Sequence, residues 1–220
     1  METNASPIDF RLANKMVAIC ARRGSGKSEL VKYLLSVEPE SFEKVIVISC
    51  SEGSNNFFKG FLDPRYVFED WSEELVESIF EKVSKINRGV PKEKQKRYLL
   101  ILDDIIGDLS FRNSKILKKI FIRSRHVNLA LVSIVQHLHE VSPLQRSNLD
   151  VLLVSQMANS CVDSLAVDFA CGEISKAEFI SLYHRSITNY QFLLINNSTT
   201  KTGALSEIYG TIKTPSEFFE

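Results

Sequence analysis

The residues most able to do chemistry lie close together near the amino end. Met16-Val-Ala-Ile-Cys20 is followed by Ala21-Arg-Arg-Gly-Ser-Gly-Lys-Ser28 and then by Glu29-Leu-Val-Lys-Tyr-Leu-Leu35. This order predicts a strand, a tight loop and a helix, the setting in which such a loop holds phosphate. A triphosphate is a dense anion, and backbone N–H groups at a helix N-terminus bind it while the helix dipole favours its charge. Gly24 and Gly26 let the backbone approach without a Cβ. Lys27 is expected to reach the β and γ oxygens as a point charge, and the Ser28 hydroxyl to take a coordination position on Mg²⁺. The expected phosphate-binding stretch is thus Ala21, Arg22, Arg23, Gly24, Ser25, Gly26, Lys27, Ser28 and Glu29. Ala21 stands where the common pattern has glycine, and Arg22 and Arg23 fill variable positions of the loop.

A second signal is Tyr98-Leu-Leu-Ile-Leu-Asp103-Asp104, an apolar run that ends in two carboxylates. Two acids at the end of a buried strand need a partner or a task. Paired with a phosphate loop upstream, Asp103 is expected to serve the metal and Asp104 to orient or deprotonate an attacking water. Asp104-Ile-Ile-Gly107 also fits the D-x-x-G element of switch GTPases, but no N-K-x-D element follows. A nucleotide kinase would call for an Arg-rich lid and has less use for a second acid.

Ala130-Leu-Val-Ser-Ile-Val-Gln136 ends in an amide where the carboxyl edge of a sheet meets its ligand, which makes Gln136 a candidate γ-phosphate sensor. His137 and His139 follow with H-x-H spacing, and no second ligand pair accompanies them to complete a metal site. Transfer of a phosphoryl group is often assisted by an arginine from a neighbouring subunit. Arg123, Arg125 and Arg146 lie beyond the acidic pair, and Arg125 and Arg146 are the candidates for that role. The Lys92-Glu-Lys-Gln-Lys-Arg97 stretch and the basic face around Lys118 carry charge suited to phosphate contact, or to an ordinary solvated surface.

These groups must be held by regular elements, and the pattern of the chain supplies them. Short apolar runs at Met16 to Cys20, Lys44 to Ser49, Tyr98 to Asp103, Ala130 to Gln136, Val151 to Ser155 and Tyr190 to Ile195 predict buried strands. Helical stretches between them predict an α/β fold with a mostly parallel sheet flanked by helices. Asp70-Trp-Ser-Glu73 predicts a capping box, followed by a core-facing helix through Leu75, Val76, Ile79, Phe80, Val83 and Ile86. Ile116, Leu117, Ile120 and Phe121 predict a second helix whose basic residues point outward, and Ser175-Lys-Ala-Glu178 caps a third. The turn-rich Asn196 to Gly203 stretch is expected to lead to a short partner strand near Ser206 to Tyr209.

The 220 residues hold 27 basic and 27 acidic side chains, with 44% hydrophobic residues. That composition is globular and excludes disordered and fibrous classes. Zero net charge argues against a domain that binds nucleic acid by bulk positive charge, though not against a local basic stripe. Cys20, Cys50, Cys161 and Cys171 lack C-x-x-C spacing, which suggests a reduced, intracellular protein. No signal peptide and no membrane-spanning run is expected, so the reading is soluble, without membrane insertion. One domain is expected over 1–220, with a core of about 12–198 and a C-terminal extension over 199–220.

Taken in order, Ala21 to Ser28, Leu99-Leu-Ile-Leu-Asp-Asp-Ile-Ile-Gly-Asp108, Arg125-His126-x-Asn128, Gln136 and Pro143-Leu-Gln-Arg-Ser-Asn148 resemble the poxvirus-type genome-packaging ATPases of the FtsK-HerA superfamily of P-loop DNA translocases. The resemblance spans about Met16 to Ser155. It implies a RecA-like core of the ASCE type, with an extra strand between the nucleotide-binding strand and the acidic one. It implies ATP as fuel with Mg²⁺, and a homo-oligomeric ring, pentamer or hexamer, that pumps double-stranded DNA into a preformed capsid. A capsid or portal component is then a partner, and the viral assembly site in the host cell, or the virion, the location. By position it gives Lys27 and Ser28 to phosphate and Mg²⁺, Asp103 to the metal, Asp104 to the water and Gln136 to sensing. A nucleotide-dependent switch module without sustained turnover is the alternative.

Overall fold

A computed structural model describes residues 6–7, 10–105, 114–170, 174–198 and 204–219. Its strands are β1 (Ser6–Pro7), β2 (Met16–Cys20), β3 (Lys44–Ser49), β4 (Val67–Phe68), β5 (Tyr98–Asp103), β6 (Leu129–Val135), β7 (Val151–Val154), β8 (Gln191–Asn196) and β9 (Tyr209–Lys213). The helices are α1 (Lys27–Ser36), α2 (Glu52–Asn55), α3 (Glu73–Asn87), α4 (Lys115–Arg123), α5 (Pro143–Asn148), α6 (Asn159–Phe169), α7 (Lys176–Ser186) and α8 (Leu205–Ile208).

Among the described residues the strands form one sheet in the order β1-β9-β8-β7-β2-β6-β5-β3-β4. Only the two ladders that β8 makes, to β7 and to β9, are antiparallel; the others are parallel. The sheet is therefore mostly parallel, and β6 sits between the loop-bearing β2 and the acid-bearing β5. That is the inserted strand expected of the RecA-like core.

Every residue of β2, β5 and β6 is buried, as a sheet covered on both faces requires. Alternation still sorts them. Met16, Ala18 and Cys20 face the layer that holds α3, α4, α6 and α7, while Val17 and Ile19 face Leu30, Val31 and Leu34 of α1. Each large apolar side chain removed from water contributes about 1.5–3 kcal/mol before the entropy of ordering it is counted. The stripe Ile116, Leu117, Ile120 and Phe121 is buried as the spacing predicts, with Lys115, Lys118, Arg123 and Arg125 exposed.

The differences from expectation are local. The cap of α3 is Ser72, whose hydroxyl accepts from Leu75 N–H at 3.0 Å, and not Asp70; two side chains able to cap stand two residues apart, and helix packing selects the later one. Ile86 falls off the buried stripe and is exposed. The capping box at Ser175 and Glu178 forms as expected. The strand expected at Ser206 to Tyr209 is instead α8 followed by β9, which begins at Tyr209 and pairs with β8 through Lys213. Thr211 and Ile212 are the β-branched residues that suit this ladder. The sheet thus continues past residue 198.

Cys20 and Cys161 are buried free thiols and Cys50 is an exposed one; burial pushes the Cys20 thiol up to about 12. Cys171 lies outside the described residues. Among the described residues, no helix is long and apolar enough to cross a membrane.

Candidate functional site

The carboxyl ends of β2, β5 and β6 converge on a cavity of about 390 Å³. Arg23, Gly24, Gly26, Lys27, Ser28, Glu29, Ser51, Asn55, Asp103, Asp104, Ile134, Gln136, Tyr190 and Phe219 line it. The volume lies in the range that small ligands occupy.

The loop is shaped by two left-handed glycines, Gly24 at φ 76° and Gly26 at φ 80°. Gly26 caps α1 without a side-chain acceptor, so no cap competes with an anion for the first-turn N–H groups. A Cβ on Gly26 would come within 2.9 Å of the Tyr190 ring and 3.0 Å of the Phe219 ring. Ala21 is fully buried, and its backbone is not among the left-handed positions. No left-handed backbone therefore demands glycine at this position. Ser25 is buried and its hydroxyl donates to Arg22 O at 2.6 Å, while Arg22 and Arg23 are exposed.

Lys27 donates to Ala21 O at 2.8 Å and to Arg22 O at 3.1 Å, which curls its side chain over the loop. Burial pushes its pKa below the usual lysine value, against the pull of Asp103 and Asp104. Asp103 is buried, and its Oδ2 accepts from the Ser49 hydroxyl at 2.9 Å. Burial raises its carboxyl to about 6, with the Ser49 hydrogen bond opposing. These two charges are short of solvation, and a polyanion with its cation would relieve both. Asp104 sits at φ 52°, an uncommon backbone for a residue with a Cβ. That conformation turns its Oδ1 to accept from Gln136 Nε2 at 2.8 Å. Gln136 lies one residue beyond β6, and the Glu140 carboxylate accepts the backbone N–H groups of Gln136 at 3.4 Å and His137 at 3.1 Å.

Ser28 and Asp103 line the same cavity and offer hard oxygen donors, which suits Mg²⁺, an ion that keeps several waters and shares phosphate ligands. Among the described residues no cluster of three His, Cys, Asp or Glu stands ready to hold a metal, His137 and His139 included.

Of the residues singled out in the sequence, Arg23, Gly24, Gly26, Lys27, Ser28, Glu29, Asp103, Asp104 and Gln136 meet in this cavity. Ala21 lies behind it, while Arg22 and Ser25 line a smaller neighbouring cavity. Arg125 and Arg146 are elsewhere in the chain. Arg125 pairs with Asp150 at 2.7 Å, before the start of β6 and so about 20 Å from the site along the strands. Arg146 pairs with Asp168 at 2.8 Å and donates to Val141 O at 2.7 Å. Ser49, Ser51, Tyr190 and Phe219 join the site without a motif of their own in the sequence. A serine closing an apolar strand was a faint signal for Ser49, and nothing local marked the two aromatics. A larger cavity of about 980 Å³ between α3 and α4 carries Lys85, Arg88, Lys119 and Arg123 beside one acid, Glu81, and is lined by neither the loop at Ala21–Ser28 nor Asp103 and Asp104.

A sequence model described as Poxvirus A32 protein matches residues 8–210. The uncharacterized protein 075L of Invertebrate iridescent virus 6 is 26% identical over 215 residues, covering 92% of this chain and 82% of that protein. The uncharacterized protein 015R of Frog virus 3 is 26% identical over 199 residues, covering 90% of this chain and 61% of the relative. The genome packaging NTPase B204 from Sulfolobus turreted icosahedral virus 2, solved in complex with ATP-gammaS, superposes with a TM-score of 0.61 at 15% identity, covering 90% of this chain and 96% of that one. The pCW3 conjugation coupling protein TcpA, solved with ATPgS, gives 0.61 at 12% identity, covering 91% and 60%. At such identities the likeness is one of fold.

Proposed function

This chain belongs to the poxvirus A32 protein family, and from that membership and the geometry of its site we propose that it is an ATP-hydrolysing motor that moves double-stranded viral DNA into preformed capsids. The observation that carries the reading is the meeting of Lys27, Asp103, Asp104 and Gln136 at one cavity, with Asp104 and Gln136 hydrogen-bonded to each other. A base held against a γ-phosphate sensor is what hydrolysis coupled to movement requires.

In this reading the loop from Ala21 to Ser28 and the first turn of α1 hold the triphosphate through backbone N–H groups. Lys27 leaves the Ala21 and Arg22 carbonyls and donates to the β and γ oxygens, whose negative charge offsets the loss of solvation that burial imposes on its ammonium. Ser28 and Asp103 would hold Mg²⁺, an ion that would supply positive charge against the phosphate oxygens. Ser49 keeps Asp103 in position. Asp104 takes the proton of the attacking water and Gln136 fixes its carboxylate. When the γ-phosphate departs, Gln136 is free to change partner, and because its N–H shares Glu140 with His137 the following turn moves with it.

The motor is proposed to work as a homo-oligomeric ring, pentamer or hexamer, at the viral assembly site, with a capsid or portal component as partner. Neither Arg125 nor Arg146 reaches the site of its own subunit, and both remain candidates for donation to a neighbour. The basic lining between α3 and α4 is a surface on which DNA phosphates can be held and released. ATP hydrolysis is measured with and without double-stranded DNA. The parent chain should be stimulated by DNA, and Lys27→Ala should lose hydrolysis by on the order of 10²–10³-fold together with ATP affinity. A folded preparation that binds ATP and shows no DNA-stimulated turnover overturns the motor and leaves a nucleotide switch.

A further inference from the structure

Strand order assigns a direction to the cavity. The acids of β5 and the amide after β6 lie on one side of β2, and the approaches to β8 and the segment after β9 lie on the other. A triphosphate seated on the loop with its γ end toward Asp104 and Gln136 must send its ribose and base toward the β8 side. Two aromatic rings line the cavity from that side, Tyr190 and Phe219.

They form a built wall. Their ring centroids are 3.9 Å apart with planes tilted by 33°. Tyr190 adopts φ 57°, a conformation that L side chains avoid and that tends to be kept where function requires it. Tyr190 is 42% exposed beside the phosphate loop, and an exposed large apolar residue at a site is itself informative. Phe219 belongs to the 3-10 turn Ser216–Phe219. Phe218 of that turn packs edge-on against Tyr33 of α1 at 5.4 Å, with the Lys32 ammonium 5.9 Å over the Phe218 ring. Thr214 N–H donates to Tyr190 O at 3.1 Å and ties the two halves of the wall together. Both rings approach Gly26, where any Cβ would collide with them.

We propose that Tyr190 and Phe219 form the platform on which the base of the bound nucleoside triphosphate stacks. The proposal rests on the reading of the loop at Ala21–Ser28 as a triphosphate site and extends it to the other end of the ligand. Every base offers a π-face, so a platform of this kind binds without choosing among bases. ATP and GTP should therefore depend on it alike.

The test compares a ligand with a base to one without. Affinities for ATP, GTP and inorganic tripolyphosphate are measured on the full chain and on Tyr190→Ala, Phe219→Ala, Phe219→Trp and Lys27→Ala. Both alanine variants should lose ATP and GTP affinity by about five-fold or more, with tripolyphosphate affinity held within about two-fold, and Phe219→Trp should retain nucleotide affinity. Equal losses for nucleotides and tripolyphosphate would overturn the platform, since the rings would then be acting on the loop. Unchanged nucleotide affinity would overturn it as well. Lys27→Ala reports on the other reading: tripolyphosphate binding that survives there sinks the phosphate loop, whatever the aromatic variants do.

Discussion

At its amino end β2 starts from Met16, whose N–H donates to Asp150 Oδ2 at 2.8 Å, while the other oxygen of that buried carboxylate takes Arg125 at 2.7 Å. Close by, the Asn87 amide donates to Lys96 O and Val127 O and accepts Lys96 N–H. The left-handed positions at this edge are Asn14 and Asn128, a residue type that tolerates them. At its carboxyl end the same strand feeds a loop where Lys27 and Asp103 are both pushed toward their neutral forms by burial. The left-handed positions there include Asp104 and Tyr190. One edge of the sheet pairs the Asp150 carboxylate and the Asn87 amide with protein groups, and the other leaves charge and aromatic surface that a ligand can satisfy. The proposed site thus lies at the carboxyl ends of the strands, where open parallel sheets bind their ligands, and the paired polar groups lie at the opposite ends.

The sharpest way to break this contrast is Asp104→Asn. It should lower ATP hydrolysis by between about 10² and 10⁴-fold while ATP affinity is retained, as measured by turnover beside equilibrium binding. Normal turnover would move the base elsewhere and remove the carboxyl edge's claim to the chemistry. The opposite edge is tested by Asp150→Ala, which strands the Met16 N–H and the Arg125 guanidinium. Denaturant unfolding should show a loss of about 2–4 kcal/mol with ATP affinity of the folded protein unchanged. A loss of affinity with stability intact would reverse the assignment of the two edges.

The smallest effect refines the picture. Asp103, raised to about 6, keeps in the folded chain a proton that the unfolded chain has released above its ordinary value of 3.8. The folded state therefore binds more protons between about pH 4 and pH 6, and this group makes stability fall as pH rises through that window. In metal-free buffer the slope should stay below about 1.4 kcal/mol per pH unit, the limit for a single proton. Asp103→Asn should flatten it. A parent-minus-variant difference that instead grows with pH would mean that the carboxylate is already well paired.

Much of the site was legible in consecutive residues. Gly24, Gly26, Lys27 and Ser28 lie within one loop and the first residues of α1, so their spacing carries the geometry. Asp103, Asp104 and Gln136 were legible because polar residues that end long apolar runs must emerge at an edge of the sheet. Ser49 was not, since its hydrogen bond to Asp103 depends on β3 lying beside β5 in register. Tyr190 and Phe219 were not, since 29 positions separate them and only the β8–β9 ladder brings them together. The caps of α3 and the start of β9 were displaced for a milder reason, that neighbouring residues had similar propensities and packing chose between them.

Local sequence alone specifies the phosphate loop, the apolar strands, the amphipathic helices and the acids at a strand end, because these follow from contacts within a few residues and from the need to bury apolar surface. Tertiary structure decides which strand ends become neighbours. By setting β6 between β2 and β5 it joins Gln136 to Asp104, and by pairing β8 with β9 it brings Tyr190 before the one and Phe219 after the other against Gly26. Strand order is a long-range result of packing both faces of one sheet, and no short stretch of the chain contains it.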